Sequence, residues 1–143
     1  MSFRNPPPEA IRALLERVRR IAVVGLSPKA NRPSHQVAAA MQGFGYQIVP
    51  VRPAIERVLG ETAYPDLRAV PGTIDLVDVF RAPAHVDELV ELCIECGIPA
   101  LWLQDGVVNT VAAERAVAAG MFVIMDRCIY RDYVGFFGHR PRV

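Results

Sequence analysis

Five short apolar runs, the first of them rich in β-branched residues and most of them separated by stretches with helical spacing, set the limits on what this chain can fold into. They are "IAVVGL" (21–26), "YQIVPV" (46–51), "IDLVDVF" (74–80), "ALWLQ" (100–104) and "FVIMD" (122–126). Apolar runs of this length read as strands buried on both faces. A helix over 33–43 follows the first, with Pro33 suited to a first helical position and Val37, Met41 and Phe44 on its inner side. Segment 82–97 carries the stripe Val86, Leu89, Val90, Cys93 and Ile94 and stops at Gly97; segment 107–120 is helical again and stops at Gly120. Ahead of the first strand, Ile11, Leu14, Leu15 and Val18 share one helical face, which predicts a helix packed on the outside of a sheet. Apolar strands alternating with helices require a parallel sheet covered on both sides and wound right-handedly. The expected fold is therefore α/β: a single Rossmann-like domain with a doubly wound, five-stranded parallel sheet in the order 3-2-1-4-5. Segment 52–72 reads as turns with one short helix. The tail "RCIYRDYVGFFGHRPRV" reads as loop, with an aromatic cluster at Tyr130, Tyr133, Phe136 and Phe137 that could cover the site or form a homodimer contact.

Bulk properties narrow the function classes. A length of 143 residues with 52% hydrophobic and 22% charged residues is one globular domain. The net charge of +1 supplies no field for nucleic acid or membrane, so any anion recognition must come from a few placed cations. No apolar run reaches the eighteen or so residues of a membrane span. The start "MSFRNPPPEA" lacks the apolar core of a signal peptide, and three cysteines fit a reducing compartment, so a cytoplasmic location is expected.

In such sheets ligands bind beyond the carboxyl ends of the strands, where the winding reverses. The polar residues to read are those after Leu26, Val51, Phe80, Leu103 and Met125. After the first strand, Gly25 and Leu26 lead into Ser27, Lys29, Arg32, Pro33 and Ser34. A dinucleotide fingerprint, G-x-G-x-x-G, would need glycine at 27 and 30, where the chain has Ser27 and Ala30. An anion held by helix amides and by Lys29 and Arg32 fits this loop better; solvated basic residues on an ordinary turn are the plainer reading. After the second strand, Arg52-Pro53 stands where an NAD site would place an acidic residue, and arginine there suits a phosphorylated ribose. Phe80, Arg81 and Pro83 follow the third strand, Gln104 and Gly106 the fourth, and Asp126, Arg127 and Cys128 the fifth. A loop with Lys29 and Arg32 beside three strand-end arginines suggests a polyanionic ligand.

In order, "VVGLSPKANRPSHQV", "IVPVRP", "VLGETAYPDL", "DLVDVFRAPAHVDELV", "ALWLQDGVVN" and "VIMDRC" resemble the small stand-alone CoA-binding proteins of bacteria and archaea. These are similar to the N-terminal CoA-binding domain of the succinyl-CoA synthetase α subunit. The likeness runs from about residue 20 to 128, which divides the chain into an N-terminal helix (1–19), a CoA-binding domain (20–128) and a C-terminal tail (129–143). It implies that Gly25–Ser34 holds the CoA phosphates and that Arg52-Pro53 lies near the adenosine. It further implies that Phe80–Pro83 and Gln104–Gly106 flank the nucleotide and the pantetheine arm.

No catalytic constellation stands out. His35 and His85 lie at helix starts and His139 in the tail, with no metal-ligand spacing among them, so solvated or capping roles are expected. Cys93 and Cys96 form a C-x-x-C at a helix end, where packing and not redox chemistry is expected. Cys128 differs, since it falls at the ligand edge: a CoA thiol could approach it, with a structural thiol as the other reading. Asp75 and Asp78 lie in a strand, where Asp78 orders nearby backbone. The expectation is a non-catalytic binder of coenzyme A or acyl-CoA, with CoA as its small-molecule partner. The alternatives are an NADP-dependent oxidoreductase and a partner-dependent component of an acyl-CoA ligase.

Overall fold

The computed structural model describes residues 3–142. Met1, Ser2 and Val143, at the outer ends of the two flanking segments, lie outside it. Helix α1 (Pro8–Arg17) precedes β1 (Arg20–Val24), α2 (Pro33–Gly43) and β2 (Gln47–Val51). A small hairpin, β3 (Arg57–Val58) and β4 (Glu61–Thr62), and a 3-10 turn (Leu67–Ala69) lead to β5 (Leu76–Val79). Then come α3 (Val86–Glu95), β6 (Ala100–Leu103), α4 (Thr110–Ala118), β7 (Phe122–Met125) and α5 (Ile129–Phe137). β1, β2, β5, β6 and β7 form one parallel sheet.

Burial alternates along each strand as a two-sided sheet demands. Ile21, Val23, Ile48, Leu76, Trp102 and Ile124 face the layer of α1, α2 and α5. Ala22, Val24, Val49, Val77, Leu101 and Val123 face the layer of α3, α4 and the 3-10 turn. The predicted first helix docks as expected, with Ile11, Leu14, Leu15 and Val18 all buried.

The doubly wound parallel sheet is as expected; one placement within it differs. The order is β2-β1-β5-β6-β7, so the third strand of the sheet lies between the first and fourth, not outside the second. The 52–72 segment explains this. Tyr64 bridges to Val51, with Arg52 N–H donating to Tyr64 O at 2.8 Å and Tyr64 N–H to Pro50 O at 3.0 Å. That strap occupies the outer edge of β2, and β5 takes the open edge of β1. The winding therefore reverses between β1 and β5, which fixes where a ligand crevice forms.

The tail also differs. It is not a loop: Ile129–Phe137 is helical, with Ile129, Asp132 and Tyr133 buried. Tyr133 stacks on Phe44 at 4.1 Å between centroids, and its hydroxyl donates to Arg140 O at 2.7 Å. Of the aromatic cluster, Tyr133 is buried, while Tyr130, Phe136 and Phe137 are half-buried and packed against the core. Among the described residues, no helix is long and apolar enough to cross a membrane.

Candidate functional site

The site begins where β1 ends. Gly25 has φ +86°, and a Cβ built there would lie 2.3 Å from Phe80 O. Only glycine lets the ends of β1 and β5 close on one another at the switch point. Leu26 then turns into the core, where it is wholly buried, and anchors the loop from below. Above it the backbone is held by side chains. Ser27 N–H donates to Ser34 Oγ at 3.0 Å, and Lys29 N–H donates to Ser27 Oγ at 3.1 Å. His35 Nδ1 lies 2.9 Å from Ser27 O; because a carbonyl only accepts, the ring proton sits on Nδ1. Helix α2 starts at Pro33 with Arg32 as its N-cap and no side chain capping it. Its first-turn N–H groups are open to an anion, which the helix dipole favours there.

A cavity of about 640 Å³ extends from this loop across the carboxyl ends of β1, β5 and β6. At one end Lys29, Arg32 and Arg52 line it. Among the described residues none of the three forms an ion pair with a carboxylate. Arg52 reaches only Gly25 O, at 3.5 Å.

The opposite end is made by Gln104, Asp105, Val107 and Cys128. Gln104 is 4% exposed and its Oε1 accepts from the Ile129 N–H at 3.1 Å, which leaves the amide NH₂ to donate into the cavity. Cys128 is buried beside it as the N-cap of α5. Here the arginines are already neutralised. Arg131 grips Asp105 with two 2.8 Å hydrogen bonds, and that contact holds the Asp105 carboxyl below its usual range. Arg127 grips Asp132 at 2.7 and 2.8 Å.

A smaller cavity of about 160 Å³ opens on the other side of the switch point, with Pro53, Pro65, Leu67, Arg81 and Leu89 in its wall. Together the two cavities straddle the sheet edge at Gly25 and Phe80.

A profile of the CoA binding domain matches residues 19–133. The chain belongs to the CoA-binding domain family. A relative from Bacillus subtilis, the uncharacterised protein YneT, is 43% identical over 127 residues, covering 89% of this chain and 94% of that one. A hypothetical protein from Pyrococcus horikoshii OT3 superposes with a TM-score of 0.90 at 34% identity, over 96% of this chain and 99% of that one. The fold alone is shared with a dinucleotide-forming acetyl-coenzyme A synthetase of Candidatus Korarchaeum cryptofilum. There the TM-score is 0.68 and the identity 21%, over 79% of this chain and 26% of that one.

Within this CoA-binding domain the predicted residues divide in three. Gly25, Ser27, Lys29, Arg32, Pro33, Ser34, Arg52, Phe80, Gln104 and Cys128 come together around the large cavity. Pro53 and Arg81 line the smaller one. Leu26, Pro83 and Gly106 line neither: Leu26 is core, Pro83 O accepts from Asn109 Nδ2 at 3.1 Å, and Gly106 N–H donates to Asp126 Oδ1 at 2.8 Å. The contacts of these three are with the protein itself. Asp105 is expected from the sequence only as part of the Gln104–Gly106 turn, and its partner Arg131 is not singled out there. Adjacency to Gln104 at a strand end was the available signal for Asp105, but nothing local pairs residue 105 with 131.

The other reactive side chains are accounted for. Cys93 is fully buried, which pushes its thiol up to about 12, and Cys96 is an exposed free thiol. His85 is exposed at the start of α3, and His139 packs near Tyr130 with centroids 6.3 Å apart. No cluster of three or more His, Cys, Asp or Glu side chains suited to a metal occurs among the described residues.

Proposed function

We propose that this chain binds coenzyme A or its thioesters across the carboxyl edge of the sheet, as a binding module without catalytic machinery of its own. The carrying observation is the trio Lys29, Arg32 and Arg52, grouped at an uncapped helix start with no carboxylate to neutralise it. Unpaired cations gathered beside helix amides suit a ligand with several phosphates. The pyrophosphate rests on the start of α2 in this reading. The adenosine lies toward the proline-walled small cavity, with Arg52 reading the ribose 3′-phosphate.

The pantetheine arm runs to Gln104 and Cys128. Two strand spacings separate the ends of β1 and β6, roughly 10 Å. The arm has the length of about four residue units and spans roughly 13–14 Å when extended, enough to cover that distance. His35 is committed to Ser27 O, and Asp105 and Asp132 to arginines, so the side chains around the cavity serve binding and not acid–base work.

Arg52→Ala tests the phosphate assignment. Loss of a charge-assisted hydrogen bond costs about 1.5–3 kcal/mol, so CoA should weaken roughly ten- to hundredfold while dephospho-CoA stays within about twofold. Equal losses for both ligands in calorimetric titration would contradict the assignment.

A further inference from the structure

The two ends of the large cavity differ in charge in a way that phosphate binding alone does not require. The loop end carries three cations, Lys29, Arg32 and Arg52, and no carboxylate partner. Beside the Gln104 end, outside the cavity lining, stand two arginines, Arg127 and Arg131, and both are held bidentately, by Asp132 and Asp105. A third carboxylate, Asp126, stands at the same strand ends and spends one oxygen on the Gly106 N–H. Asp105 itself lines the cavity, so a group arriving there meets a carboxylate edge and finds no free cation.

From this gradient we infer that the site selects by acyl charge: it accepts free CoA and thioesters of uncharged acyl groups and disfavours those whose acyl chain ends in a carboxylate. The inference rests on the CoA reading above, since it needs the thiol to reach Gln104. Asp105 is the specificity-determining residue. With Asp126 and Asp132 it leaves this end net negative, three carboxylates against two arginines, and it occupies the two N–H groups of Arg131 that an incoming carboxylate would otherwise take. Asp105 and Arg131 are half-exposed or more, so water screens the repulsion. Two unit charges about 4–5 Å apart at a wet rim change affinity roughly five- to tenfold.

The test compares butyryl-CoA with succinyl-CoA, which have equal carbon counts and differ in the terminal carboxylate, alongside CoA, by calorimetric titration of the full chain. The wild type should bind butyryl-CoA about five- to tenfold more tightly than succinyl-CoA. Asp105→Ala frees Arg131 and should close or reverse that gap, read as the ratio of the two thioester affinities in each protein. Asp105→Asn keeps the shape of the side chain and should narrow the gap in the same direction. Equal affinities in the wild type, or a gap unchanged in both variants, would overturn the charge filter while leaving CoA binding intact. Failure of all three ligands to bind the wild type would instead remove the CoA reading, and the filter with it.

Discussion

Asp75 and Asp78 lie three residues apart at the two ends of one short stretch, and the fold treats them in opposite ways. Asp75 Oδ2 accepts from the backbone N–H groups of Arg19 and Arg20 at 3.0 and 2.9 Å, so it ties the start of β1 to β5. Asp78, expected to order backbone, meets only the neighbouring Val79 N–H: it is 1% exposed between Val23 and Trp102 in the sheet, and its Oδ1 has no partner. Burial raises its carboxyl well above the usual carboxylate range, only partly offset by a hydrogen bond from the Val79 backbone. The folded state therefore keeps a proton that the unfolded chain releases near pH 4, and stability falls as pH rises from there through the raised folded value. Asp78→Asn removes that loss. In urea melts the variant should exceed the wild type by about 1 kcal/mol or more at pH 8, with the gap shrinking toward pH 4. A gap independent of pH would contradict a buried neutral acid.

The same scale shows the limit of reading cations from sequence. Arg52 and Arg127 both follow strands and look alike in the sequence. Their roles separate only when the fold brings Asp132 to Arg127 and nothing acidic to Arg52. Spacing found the strand ends; partners across the fold decide which charges remain available to a ligand.

At the scale of elements, α5 is the instructive miss. Gly135 and a run of aromatic and β-branched residues carry weak helix propensity, which favours reading 129–137 as loop. Yet Ile129, Asp132, Tyr133, Phe136 and Phe137 follow helical spacing, and tertiary packing settles the matter. Tyr133 is 1% exposed and touches Phe44, Tyr46 and Phe137. Tyr133→Ala should therefore cost about 3–5 kcal/mol in urea unfolding, as for other buried aromatics. A cost below about 1 kcal/mol would mean that the tail is peripheral. Arg142 reinforces the docking, with its backbone N–H on Phe44 O at 2.8 Å and its guanidinium over the Tyr46 ring at 4.5 Å.

The strand order is the other lesson at this scale. Apolar runs identify five strands, but which edge the third one takes depends on the Tyr64–Val51 bridge, a contact with no local signature. The hairpin turn at Leu59-Gly60 was equally hard to foresee, because Leu59 adopts φ +56°, where glycine or asparagine would be expected.

Over the whole molecule, fold class was the most legible property. A two-sided sheet leaves long apolar runs, and these survive without knowledge of any contact. The site was legible to the extent that parallel α/β sheets collect their polar loops at one edge, which is why residues from Gly25 to Cys128, far apart in sequence, line one cavity. Residues whose contacts are with the protein itself, such as Pro83 and Gly106, share that edge and cannot be told from binding residues by position alone.

In the proposed function, this edge takes a ligand with a diphosphate, a ribose phosphate and an extended thiol arm. Calorimetric titration of the full chain with CoA, NADP and NAD tests it directly. CoA should bind most tightly, NADP at least about tenfold more weakly because it lacks the arm that reaches Gln104, and NAD more weakly still for want of the phosphate facing Arg52. NADP binding as tight as CoA, or tighter, would contradict the account.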